Sequence, residues 1–142
     1  MSTAQEHEIG FVSFVVKTKR ERVEALLASR RRRSELLSEL PHFRDWDPRV
    51  IVPLPPSCGQ ASDIIRELRA SGAPGEAYVI ALGADLDARF MSLADAVNAV
   101  VQSRPSGGVV LSCIPGRLAY WEAEHPGAGH GRSDCFVLQR VA

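Results

Sequence analysis

The side chains that could do chemistry in this chain are few and widely spaced. Asp85 and Asp87 stand two residues apart just after an apolar run, a place where open α/β sheets commonly put ligands. Two carboxylates at that spacing can hold a magnesium ion through oxygen, with Glu122 or Asp47 as a third ligand. An isolated D-x-D is a weak pattern, and an Asx-type turn before a helix capped by Ser92 and Asp95 explains the same residues with less. Cys113 is a candidate nucleophile if His42, His125 or His130 serves as its base, which requires a depressed thiol pKa and access to substrate. A cysteine inside a strand is more often a small buried apolar residue. Its neighbour Ser112 lacks the G-x-S-x-G turn that exposes a nucleophilic hydroxyl. His125 and His130, with Asp134, form a loose metal-ligand set without a helix to fix their geometry, so solvated loop histidines are the simpler account.

Arg30-Arg31-Arg32-Arg33 invites a phosphate backbone, since each neutralised phosphate releases counterions. Three of the acids Glu21, Glu24, Glu35 and Glu39 lie within reach of that run or its helical neighbours, which favours a solvated, internally paired face. Arg49, Arg117 and Tyr120 suit a carboxylate or phosphate, although arginines beside strands commonly just pair with acids. Trp46 and Trp121 could stack on a base or sugar, but tryptophans more usually anchor a loop or sheet edge.

Composition narrows the classes. The 142 residues fit one domain with a sizeable core, and 45% hydrophobic with 24% charged residues is ordinary for a soluble globular chain. Seventeen basic and seventeen acidic side chains cancel, so no global field favours nucleic acid or an anionic membrane. Cys58, Cys113 and Cys135 are odd in number and without C-x-x-C spacing, which points to reduced thiols in a cytoplasm. No apolar run approaches the roughly 18 residues of a membrane span, and no secretory leader is expected.

These residues must be positioned by elements legible from pattern. Residues 1–10 read as a flexible tail, and Phe11–Val16 as a buried strand. From Arg20 to Leu40 the pattern is helical, either one long helix with a solvated middle or two helices meeting near Ser29. Pro41–Gly59 is a proline-broken loop with a brief edge strand at Val50-Ile51-Val52. A helix over Gln60–Ala70 and a buried strand over Tyr78–Leu82 follow. The clearest helix then runs from a Ser92 N-cap with apolar residues Leu93, Ala96, Val97, Val100 and Val101. Strand, helix, strand in that order predicts a right-handed crossover joining parallel neighbours. Val109–Ile114 and Arg117–Glu124 form a hairpin about Pro115-Gly116, with a bulge or wider turn because types I and II splay two-residue hairpins. Cys135–Arg140 is the last strand. The expected fold is α+β: residues 11–142 as a single domain, with a mixed sheet of about five strands, helices on one face and a C-terminal antiparallel meander.

The segment Ser112-Cys113-Ile114-Pro115-Gly116-Arg117-Leu118-Ala119-Tyr120, with the strand and acidic loop before it, resembles a group of small uncharacterised bacterial proteins that share an SCIPG(R/K)LAY hairpin. The likeness spans roughly residues 77–140 and implies an intact domain without implying an activity. Members of that group tend to carry glycine after the loop aspartate, where this chain has Ala88.

No complete catalytic set emerges. The expectation is therefore a cytoplasmic, non-catalytic module that binds a protein partner or small anionic ligand at a loop-rich rim. Its candidate residues are Arg49, Asp87, Ser112, Cys113, Arg117, Tyr120 and Glu122, with the Pro41–Gly59 loop beside them; no cofactor is implied. A metal-dependent hydrolase or nuclease on Asp85 and Asp87 is the second expectation, and nucleic-acid binding through Arg30–Arg33 the third.

Overall fold

Two local signals decide the structure of the first residues. Thr3 and Glu6 form a capping box: the Thr3 hydroxyl accepts from the Glu6 amide and the Glu6 carboxylate accepts from the Thr3 amide, both at 3.1 Å. His7, Gly10, Phe11 and Phe14 then recur at i, i+3, i+4 and i+7, and all four are buried. The result is helix α1 (Ala4–Ser13) in a computed structural model that describes residues 2–83, 85–104, 106–124 and 134–140. The expected tail over residues 1–10 and strand over Phe11–Val16 are thereby corrected. A short apolar run reads equally as strand or buried helix, and the capping pair tips it to helix. Val15 alone keeps a strand-like contact, a bridge to Trp46.

A 3-10 turn (Lys17–Lys19) leads into α2 (Arg20–Ala28), and extended Ser29 separates it from α3 (Arg33–Glu39). The arginine run therefore straddles a break between two helices. Ser29 Oγ accepts from the Arg32 amide at 3.2 Å, an alternative to continuing the helix. The proline-rich segment yields only β1 (Ile51–Pro53), at the margin of the sheet where a proline is tolerated. Gln60 and Asp63 cap α4 (Ala61–Ala70).

Next come β2 (Glu76–Ala81), β3 (Arg89–Ser92), α5 (Leu93–Gln102), β4 (Val109–Ile114), β5 (Leu118–Glu122) and β6 (Cys135–Gln139). Ser92 caps α5 through the Asp95 amide as its sequence predicts. The six strands form one sheet in the order β1-β6-β5-β4-β2-β3, and every neighbouring pair is antiparallel. The mixed, parallel-crossover expectation fails because β3 was hidden. That short hairpin partner reverses the chain once more before α5, so β4 returns against β2 instead of alongside it. The C-terminal meander β4-β5-β6 is as expected, with a register shift between Ser112 and Ile114. Gly116 takes φ +70° in the turn.

Helices cover both faces, which corrects the expectation of one. Tyr78, Ile80, Val110, Ala119, Trp121 and Leu138 meet α1, α2 and α3 in one cluster. Val79, Leu111, Tyr120 and Val137 meet Ile64 and Leu68 of α4 and Leu93, Val97 and Val100 of α5 in the other. The chain is thus a single α+β domain in three layers, with an antiparallel sheet between two helical layers. No helix among the described residues is long and apolar enough to cross a membrane.

Candidate functional site

Strand alternation scatters the expected site. Ser112 faces α1, whereas Cys113 packs among the residues under α5. Tyr120 and Glu122 share the Cys113 side of the sheet. Asp87 sits in the β2–β3 loop on the α1 side, paired with Arg33. Arg49 is exposed and grips Asp47 two residues earlier, a local turn that holds the Asp47 carboxyl down to about 2. Arg117 is exposed at the β4–β5 turn. The seven residues line no common wall; instead, two buried polar networks occupy opposite faces.

The first network fastens α1 to the sheet. His7 Nδ1 lies 2.6 Å from Ser112 Oγ, and the imidazole stacks on Tyr78 at 5.4 Å with Phe90 edge-on at 5.5 Å. One residue on, Glu8 accepts the Tyr78 hydroxyl at 2.6 Å and Arg33 Nη1 at 2.7 Å. Arg33 also holds Asp87 through Nε and Nη2 at 2.8 and 3.0 Å, and Asp87 accepts the Ala81 amide at 3.1 Å. One guanidinium thereby serves two carboxylates. Burial raises the Tyr78 phenol above its ordinary range, and the Glu8 carboxylate adds to it. Burial lowers the His7 pKa, with Glu6 and Glu76 opposing.

Ser112 and His7 resemble half of a nucleophile-base pair, yet both are buried, at 2% and 4% exposure, beneath α1. Against the second face, burial pushes the Cys113 thiol up to about 12, the reverse of what a nucleophile needs. Here Arg104 forks onto Glu122 at 3.0 and 2.8 Å, Tyr120 donates to the same carboxylate at 2.8 Å, and Arg104 also donates to the Gly59 carbonyl. Glu122 is fully buried. Among the described residues no group of three or more His, Cys, Asp and Glu is arranged to hold a metal ion. Asp87 is committed to Arg33, and Asp85 offers its backbone carbonyl to Arg89. His125 and His130 lie outside the described residues.

Beside the first network is a cavity of about 540 Å³ between α1 and α2. Its walls are Ile9, Val12, Leu27 and Ala28, with the Glu8 and Glu24 carboxylates as polar points. Ile9 is 63% exposed at its edge. The fold makes this trough because α1 spends one face, His7, Gly10, Phe11 and Phe14, on the sheet and leaves the next free. Gly10 permits that close seat: a Cβ there would stand 2.8 and 2.9 Å from the Pro115 backbone.

The residues that matter here and escaped the sequence reading are His7, Glu8, Tyr78 and Arg104, together with the pairing role of Arg33, which the sequence offers only as part of a phosphate-binding run. For the first two the signal was present in Thr3-x-x-Glu6 and the helical stripe after it. For Arg33, Tyr78 and Arg104 no sequence signal exists, because their partners are 18 to 70 residues away. Comparison with family models, curated proteins and solved structures gives no match, so the geometry alone speaks for function.

Proposed function

We propose that this chain is a non-catalytic binding module that docks a protein partner in the groove between α1 and α2. The carrying observation is the 540 Å³ apolar trough edged by exposed Ile9, set on a helix fastened to the sheet by His7, Glu8 and Gly10. Pockets of this size with few polar points are the usual form of a binding site. The absence of catalytic function is supported by the state of each candidate: Ser112 covered, Cys113 protonated by burial, Asp87 and Glu122 held by arginines. The groove replaces the Pro41–Gly59 rim because the rim residues do not converge, and its carboxylates speak against the small anionic ligand. Three cysteines joined by no disulfide, two of them buried, support a reducing cytoplasm.

The test is a titration with a neutral amphipathic helical peptide of about four turns, leucine on one face and glutamine on the other. Methyl NMR shifts at Ile9, Val12 and Leu27 are expected. Shifts absent there, or confined to residues 41–59, reject the groove.

A further inference from the structure

We infer that the partner segment is an amphipathic helix whose apolar face is flanked by lysine or arginine. This deepens the docking reading above and rests on it. The shape comes first. The trough lies between residues 4–12 of α1 and 24–28 of α2, ~12 Å along α1 at 1.5 Å per residue, and Ile9 at its edge is 63% exposed. A small ligand is largely enclosed by its pocket, whereas an open trough with an apolar edge continues onto a larger body, and a helix presents side chains at the i, i+3, i+4, i+7 spacing that fits it.

Charge selects the flank. The lining side chains include two carboxylates and no cation. Arg33, which meets Glu8, is divided between Glu8 and Asp87, so that cluster keeps a net negative charge. Glu24 is exposed and has no ion pair among the described residues. Glu24 is therefore the carboxylate opposite which the partner's cationic flank is set. Complementary charge of this kind fixes orientation and partner choice more than raw affinity.

The experiment uses the full chain and three labelled helical peptides with one apolar face and lysine, glutamine or glutamate flanks, followed by anisotropy and methyl NMR at low salt. The lysine peptide should bind about five- to tenfold more tightly than the glutamate peptide. Glu24→Lys, at an exposed site that leaves the fold intact, should abolish or reverse that order, and half-molar salt should erase it. Equal affinity for all three peptides, with shifts still at Ile9 and Leu27, overturns the cationic flank while leaving the groove as docking surface. Tighter binding of the glutamate peptide does the same. If no peptide moves the groove methyls, both readings fall together.

Discussion

The two polar networks differ in what surrounds them. Glu122 and Tyr120 are closed in at zero exposure, and only their arginine, Arg104, reaches solvent, with 23% of its side chain exposed. Arg33, Glu8 and Asp87 keep between 16% and 23% of their side-chain surface in contact with solvent, beside an open trough. A fully buried carboxylate depends on its cation, since the medium around it solvates charge poorly. A network at the margin of a groove costs less to perturb and can respond to what binds there. Similar chemistry thus closes one face of the sheet and, on the other, holds α1 beside an open trough.

That contrast can be broken at its strongest point first. Arg104→Ala should cost about 3–5 kcal/mol by removing the guanidinium from fully buried Glu122, while Arg33→Ala should cost about 1–3 kcal/mol because solvent already reaches its partners. Equal losses in denaturant titrations would erase the distinction. The next effect is smaller and depends on pH. With the His7 pKa lowered in the folded state, the unfolded chain binds the proton more readily. Stability is therefore fully present above the unfolded value near 6.5 and is lost as pH falls from there through the folded pKa. Thermal midpoints between pH 7 and 5 should show that loss, and His7→Gln should remove it. The smallest effect is a gain. Ala88 has φ +60°, the one non-glycine residue in that region among those described, next to the Asp87 that Arg33 grips. Strain there is about 1–2 kcal/mol, and glycine returns roughly half of it as backbone entropy. Ala88→Gly should raise stability by about 0.5–1 kcal/mol in the same titrations.

Helix and strand identities were legible wherever one short-range rule dominated. Ser92 with its apolar stripe fixed α5, and Pro115-Gly116 fixed the β4–β5 reversal. At α1 two rules competed, and the β-branched, aromatic run masked the capping pair. At β3 no rule applied: Arg89-Phe90-Met91-Ser92 is too brief and too exposed to show alternation, and missing it inverted the sense of β4. The candidate site was less legible still. Adjacent residues such as Ser112 and Cys113 point to opposite layers, so closeness along the chain misled, while the groups that do meet, such as Arg33 with Asp87, are joined only by the folded topology.

The seat of α1 has a consequence for how this chain is made. His7 meets Ser112 across 105 residues and Arg140 donates to the Ser13 carbonyl across 127, so α1, which also packs with α2 and α3, completes its seat only once β4 and the segment after β6 are in place. Those sheet contacts are of high contact order and form slowly. The α1 wall of the trough therefore takes its final position only when the sheet beneath it has formed.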